Sequence, residues 1–283
     1  MFVPITYKCN QKCVFCSAPQ NGPAIPLERV LRALPGAGGI VQLSGGEPLL
    51  LGAKTILGIL GICARKKLVP ELQTNGLLLA RLDEKYFSAL AGKIASCGGY
   101  FNVNFPADTA PLDQRMTGVR GGFAARKAGV ERLLKAGARV RLTHVVSRLN
   151  CRRLPSFVSF VLRHFGVRPW IQFSYAKGSG LSRHNRAVVA PYELAAPYIR
   201  KAVEKAREAG LRAETDHIPP CYLKGLEEIC VDVGKMVSGE KGVYLREKMK
   251  MPSCRGCSAF ARCPGPRKDY IEIYPVFRPE KYD

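Results

Sequence analysis

Short apolar runs alternate with helical patterns along this chain of 283 residues, and no other feature restricts its fold as tightly. The runs are expected to be strands near Phe2–Lys8, Gly39–Leu43, Val69–Thr74, Tyr100–Phe105, Ala138–Val146 and Arg168–Ser174. Between and after them the pattern is that of helices, over Pro26–Leu34, Ala53–Lys67, Asp83–Ala91, Gly121–Ala136, Leu154–His164 and Pro191–Ala209. Strand and helix alternating about every thirty residues is the signature of consecutive βα units and a parallel sheet. Six such units make an α/β fold, a partial (β/α)6 barrel of the TIM-like kind. After Gly210 the rhythm stops. Residues 213–283 hold Pro219, Pro220, Pro252, Pro264, Pro266 and several cysteines instead, so the chain is expected to divide into a core over 1–212 and a small cysteine-bearing C-terminal extension over 213–283. In βα barrels the active site lies at the C-terminal ends of the strands, so residues just after each strand carry the interest.

The most apolar stretch, Leu49–Ala64, is interrupted by Gly52, Lys54, Gly58 and Gly61 and reads as a buried helix rather than a membrane span. No export signal opens the chain, so a cytoplasmic protein without a membrane partner is expected. Eleven cysteines in such a chain point to metal ligation or catalysis, since a reducing compartment keeps thiols free. The net charge is +22, and it is uneven: between Gln114 and Tyr192 sixteen Lys and Arg face a single acid, Glu131. A field of that size attracts anions, although a solvated basic surface would have the same composition.

Directly after the first expected strand stands Cys9-Asn10-Gln11-Lys12-Cys13-Val14-Phe15-Cys16. Thiolates at C-x3-C-x2-C spacing can wrap one iron–sulfur cube and leave one iron open to chelate an amino acid moiety. A closed zinc loop would want another protein ligand, and no further His, Cys, Asp or Glu lies nearby in sequence.

On these residues the chain resembles the radical S-adenosylmethionine (SAM) superfamily, whose C-x3-C-x-aromatic-C loop it matches, with Phe15 as the aromatic. Ser44-Gly45-Gly46-Glu47-Pro48 after the second strand is similar to the family's GGEP element. The resemblance implies that Glu47 accepts a hydrogen bond from the SAM ammonium and that Gly45 and Gly46 permit close backbone approach. Gln73-Thr74-Asn75-Gly76 is similar to the family's TNG element, which puts Thr74 and Asn75 near SAM. Asn102 and Asn104 occupy the region that commonly meets the ribose, and Asn150 sits where relatives carry an asparagine facing the cofactor, though it also suits a turn. The motifs span residues 1 to about 180. Implied cofactors are a [4Fe-4S] cluster on Cys9, Cys13 and Cys16 with SAM at its open iron, and a one-electron reductant of the ferredoxin or flavodoxin type.

In the tail, Cys254, Cys257 and Cys263 form a C-x2-C-x5-C run, and Cys221 follows Pro219-Pro220. The run resembles the start of the auxiliary-cluster element of SPASM and Twitch domains, but Arg267 stands at that element's last cysteine position. A second [4Fe-4S] cluster on Cys221, Cys254, Cys257 and Cys263 and a zinc knuckle both fit four thiols, and Cys230 or His217 are further candidate ligands. Cys63, Cys97 and Cys151 read as small buried hydrophobes, and His144 as a structural histidine. The resemblance implies reductive cleavage of SAM to a 5′-deoxyadenosyl radical that takes hydrogen from a substrate. An acidic peptide or protein and RNA are the expected anionic partners. The alternatives are a dehydrogenase of a small molecule and a non-enzymatic zinc protein that binds nucleic acid.

Overall fold

A computed structural model describes residues 1–19, 22, 25–240 and 242–282. The strands β1 (Phe2–Thr6), β2 (Ile40–Gly45), β3 (Val69–Thr74), β4 (Tyr100–Asn104), β5 (Val140–Val146), β6 (Trp170–Tyr175) and β7 (Ala213–Asp216) follow one another in chain order in one sheet. The pairs β1–β2, β2–β3, β3–β4, β4–β5 and β6–β7 run parallel. Parallel neighbours need a crossover of a dozen or more residues, and helices supply it. These are α1 (Leu27–Ala33), α2 (Gly52–Arg65), α3 (Glu84–Ser96), α4 (Ala110–Thr117), α5 (Gly122–Lys135), α6 (Leu154–Phe165) and α7 (Tyr192–Glu208). The order does not return to β1, so the α/β sheet is the open, partial TIM-like arrangement expected.

Two elements differ from expectation. The rhythm does not stop at Gly210, because Ala213–Asp216 pairs with β6 from Ile171 to Ser174 as a seventh strand. Its sequence, Ala-Glu-Thr-Asp, has no apolar run to announce a strand, and pairing with its neighbour supplies what propensity lacks. Helix α4, Ala-Pro-Leu-Asp-Gln-Arg-Met-Thr, is short and weakly patterned and was likewise not expected. It ends at Gly118, whose φ of 74° is the left-handed conformation that closes helices.

By packing, the chain divides into two compact units, residues 1–13 with 18–143, and residues 14–17 with 144–283. In the first unit one face of the sheet is apolar. Val41, Leu43, Leu72, Phe101, Val103 and Leu142 are fully buried there, and Ile56, Ile59, Leu60 and Cys63 of α2 join the same core. The 18 residues Pro48–Arg65 are long and apolar enough, by length and composition, to cross a membrane. Only one side of that stretch is buried in the protein.

The opposite face is polar, which is unusual for a parallel sheet. Registers put Gln42 beside Glu71, Glu71 beside Tyr100, Gln73 beside Asn102, Asn102 beside Arg141 and Asn104 beside Thr143. Glu71 is the hub. Its carboxylate accepts from Gln42 Nε2 (3.0 Å), Gln73 Nε2 (2.8 Å), Tyr100 OH (2.6 Å), Asn102 Nδ2 (2.8 Å) and the Arg141 guanidinium. Ser44 Oγ donates to Gln73, and Thr143 Oγ1 donates to Asn102 Oδ1 at 2.6 Å.

In the second unit the core gathers Phe157, Val158 and Val161 of α6, Ile171 and Phe173 of β6, and Ala195, Ile199 and Val203 of α7. The chain then passes through a 3-10 turn at Pro220–Leu223, α8 (Val231–Val237), α9 (Val243–Arg246), a second 3-10 turn at Pro252–Cys254 and α10 (Lys268–Ile273). Tyr270 of α10 stacks on Tyr192 with centroids 3.7 Å apart, which fastens the end of the chain to α7.

Burial pushes the Glu71 carboxyl up, but Arg141 and the hydrogen bonds from Tyr100, Gln73 and Gln42 outweigh it and hold the group below its ordinary value of 4.5. A carboxyl lowered on folding contributes stability that is present above about pH 4.5 and lost as pH falls through the lower folded value. Arg141→Met, which strands the buried carboxylate, is therefore expected to cost about 3–5 kcal/mol in urea unfolding at neutral pH. The deficit of Glu71→Gln relative to wild type is expected to shrink below pH 4.5, and a pH-independent deficit would contradict this reading.

Candidate functional site

The end of β1 is gripped by the turn that follows β2. Gly46 N donates to Thr6 O at 2.6 Å and Glu47 N to Lys8 O at 2.7 Å. Strand ends this close leave no room for side chains. A Cβ on Gly45, whose φ is 121°, would lie 1.9 Å from Thr6 O, and one on Gly46 would lie 2.1 Å from Lys8 O. The two glycines thus fix where the chain leaves β1 for Cys9.

Glu47 is wholly buried and ties this turn to the end of β3. Its Oε1 accepts from Leu49 N (3.0 Å) and Thr74 Oγ1 (2.8 Å), and its Oε2 from Asn75 N (2.6 Å). Burial raises its pKa, while the Asn75, Thr74 and Leu49 hydrogen bonds and the charge of Arg126 oppose the rise. Pro48 opens the 3-10 turn Pro48–Leu51 beside it. Thr74 Oγ1 also accepts from Gly76 N at 3.1 Å, and Asn75 Oδ1 from Leu77 N at 3.0 Å. Gly76 has φ 79°, and a Cβ there would meet Val103 at 2.9 Å and Arg126 at 3.0 Å.

Asn75 then reaches the cysteine loop, with its Nδ2 2.7 Å from Asn10 Oδ1 and 3.9 Å from Cys9 Sγ. Lys12 N donates to Thr117 O at the end of α4 (3.1 Å), and Cys13 Sγ lies 3.1 Å from Gln11 Oε1. Cys9 is exposed, Cys13 buried and Cys16 half-buried. The backbone of Val14–Ser17 is held from the loop after β6, where Leu181 N donates to Cys16 O (2.9 Å) and Ser182 Oγ to Val14 O (3.2 Å). Gly180, with φ 61°, is needed there because a Cβ would lie 2.4 Å from Cys16 O. Phe15 is buried.

The asparagines part company. Asn104 closes β4 with its Oδ1 buried and without a hydrogen-bond partner among the described residues. Asn102 is taken up by Glu71 and Thr143. Asn150 shapes the turn after β5: its Oδ1 accepts from Ser147 N (2.8 Å), its Nδ2 donates to Val145 O (2.8 Å) and lies 3.1 Å from His144 Nε2. That is the turn role that Asn suits, and the His144 ring lies tilted against Phe157 with centroids 4.0 Å apart.

In the tail, Cys221, Cys254, Cys257 and Cys263 line one pocket with Phe277 and Tyr282. Burial and the other three thiols push Cys221 up to about 12, and burial likewise raises Cys263. Four thiols confined together repel one another as thiolates, and a bound cation would relieve that repulsion. Cys230 and His217 do not line the pocket. Among the described residues no three His, Cys, Asp or Glu side chains are grouped tightly enough to hold a single metal ion. Arg267 lies between Glu247 (2.6 Å) and Asp269 (2.8 Å).

Sequence reasoning missed Arg126 and Asp113, which form a buried ion pair beneath this site. Arg126 Nε donates to Asn75 O at 2.9 Å. The signal was present: Arg126 shares the helical face of Gly129, Val130 and Leu133, so a charge stands on the apolar stripe of α5.

Residues 3–150 match the Radical SAM superfamily, and the chain belongs to it. Membership implies SAM and an iron–sulfur cluster. The chain is 27% identical over 238 residues to a PqqA peptide cyclase of Gluconobacter oxydans, covering 78% of this chain and 61% of that protein. It spans about three fifths of the length of the curated peptide cyclases it matches. Streptococcus suis SuiB bound to S-adenosylmethionine superposes with a TM-score of 0.65 at 17% identity, covering 99% of this chain and 75% of that one. Native anSMEcpe with bound AdoMet and Cp18Cys peptide gives 0.66 at 14% identity, covering 99% and 91%.

Gly46→Ala is expected to dislodge the exit of β1 and to lower both the melting temperature and the iron taken up on reconstitution. Gly58→Ala, at a helical position with nothing within 4 Å, is the control and is expected to stabilise by roughly 0.5–1 kcal/mol. Wild-type iron uptake by Gly46→Ala would show that the close approach is not what positions Cys9.

Proposed function

We propose that this enzyme modifies a peptide or protein by radical chemistry begun at Cys9, Cys13 and Cys16. The observation that carries the reading is the continuous chain of hydrogen bonds from Glu47 through Asn75 to the side chain of Asn10, beside Cys9, which braces the loop that carries the three thiols. When bound, a [4Fe-4S] cluster with SAM at its open iron would supply reductive cleavage to a 5′-deoxyadenosyl radical able to abstract hydrogen. The chain's own part is to hold the loop, orient SAM and keep water from the reacting atoms. Both Glu47 oxygens are already engaged, so its role in this proposal is to position the Gly45–Gly46 turn and Asn75 rather than to grip the SAM ammonium alone. Asn104, with an uncommitted acceptor at the end of β4, is the better candidate for a direct contact. Thr74, Pro48 and Phe15 pack the site, and Asn150 holds the turn after β5.

A peptide is favoured as substrate because relatives of this chain carry that chemistry in their names: a PqqA peptide cyclase and an anSMEcpe with a bound peptide. Arg152, Arg153 and Arg183 are exposed, which suits an acidic peptide segment. Electrons would come from a ferredoxin- or flavodoxin-type protein in the cytoplasm. In the tail, residues 213–283, we assign a second [4Fe-4S] cluster to Cys221, Cys254, Cys257 and Cys263. Thiols that share a pocket without converging on one point suit a cube, in which each sulfur meets a different iron, better than tetrahedral zinc.

Anaerobically reconstituted protein with dithionite and SAM is expected to release 5′-deoxyadenosine, and Cys13→Ala to abolish it. Release of none by iron-loaded wild type overturns the reading. An acidic peptide is expected to bind and a single-stranded RNA not to; RNA affinity falling with salt as counterions are released would reverse the substrate class.

Iron content tests the tail separately. About eight irons per chain are expected, as two four-iron cubes require. About four are expected when Cys9, Cys13 and Cys16 are all changed to alanine, and tightly held zinc in that variant would replace the second cluster with a zinc site.

A further inference from the structure

Arg126 lies in the core of the first unit with no exposed surface. Its guanidinium is anchored at Nε by Asn75 O (2.9 Å), at one Nη by Asp113, and lies 5.6 Å from the centre of the Phe105 ring. Its other Nη is buried without a hydrogen-bond partner among the described residues. A buried ion pair is not a cheap source of stability, because taking both charges out of water offsets most of their attraction. Its placement is the informative part. Asn75, which Arg126 fastens, is the residue that faces Cys9 and Asn10. Helix α4, which carries Asp113, also accepts the Lys12 N–H at Thr117 O. The pair therefore lies between the two anchor points of the cysteine loop, with Arg126 its end bonded to Asn75 O, the residue whose Nδ2 stands 3.9 Å from Cys9 Sγ.

We propose that the Arg126–Asp113 pair is a fixed dipole whose cationic end sets the reduction potential of the cluster carried by Cys9 and Cys13, favouring its reduced state. This rests on the cluster assignment made above and goes beyond it. Adding an electron makes a thiolate-bound cube more negative by one charge, so a buried cation beside a ligating thiolate stabilises the reduced form more than the oxidised one. At an effective dielectric of about 20, one unit charge roughly 12 Å away is worth on the order of tenfold in the reduced-to-oxidised ratio, or about 59 mV for one electron. Arg126 is in this respect a positioning residue, touching neither SAM nor substrate.

The test is an EPR-monitored redox titration of the reconstituted full chain without SAM, following the signal that changes when SAM is later added. Asp113→Asn removes the opposing charge and is expected to raise the midpoint potential, by up to about tenfold in the reduced-to-oxidised ratio. Arg126→Gln combined with Asp113→Asn removes both charges and is expected to lower the potential below that of wild type. A merely structural role would move both variants the same way or neither, and either result overturns the proposal. If the double variant does not hold its cluster, Asp113→Asn decides alone, and a potential unchanged or lowered there is refutation. If that variant also fails to load, Arg126→Lys, which keeps the charge, must retain the wild-type potential for the proposal to stand. A wild type that takes up no cluster at Cys9 and Cys13 would instead remove the cluster assignment itself.

Discussion

The buried carboxylate of Glu47 is the interaction on which the first unit's site depends. Three donors from the ends of two neighbouring loops meet it, Leu49 N, Thr74 Oγ1 and Asn75 N, while its own N–H holds Lys8 O. A hydrogen bond to a charged group contributes about 1.5–3 kcal/mol, whereas a buried carboxylate without partners costs several. The carboxylate is thus tolerable only if the strand ends stand where they do. Glycine at 45 and 46 makes that approach sterically possible, and Asn75 passes the constraint on to the cysteine loop.

The polar face of the sheet follows a similar logic one layer away. Parallel sheets are ordinarily covered with apolar side chains on both faces, and here β2 to β5 present Gln42, Glu71, Gln73, Asn102, Arg141 and Thr143 on one. They are affordable because they satisfy one another: a single carboxylate gathers five donors and one guanidinium neutralises it. Such a layer is rigid, since losing any member strands the others. Asn104 Oδ1, one step further along β4, has no hydrogen-bond partner among the described residues.

Charge along the chain has more than one use. Arg126 and Arg141 belong to the basic stretch between Gln114 and Tyr192, yet both are buried and paired with acids outside that stretch, Asp113 and Glu71. Arg132 is bound to Leu79 O, Leu82 O and Glu84, and Lys177 to Glu247. The exposed basic field is therefore smaller than the composition suggests, and exposed side chains such as Arg152 and Arg183 contribute to it.

Features that depend on near neighbours along the chain are legible in its residues alone. The alternation of apolar runs and helical stripes defined β1 to β6 and most of the helices, since period is a local property. The spacing of Cys9, Cys13 and Cys16 pointed to a cluster loop, and the resemblance of Gly45-Gly46-Glu47 to a family motif to its companion, because short motifs are legible without the fold. The rest depends on contacts between residues distant in the chain. Ala213–Asp216 became a strand through pairing with β6, not through its own residues. Asn150 and Asn104 look alike as letters, and burial with Ser147 and His144 makes one a turn residue while the other keeps an acceptor without a partner among the described residues. Whether an arginine serves solvent, a partner or a buried acid depends on residues far away in the chain, as Arg141 does on Glu71, and electrostatics of that kind exist only once folding has removed the water between them.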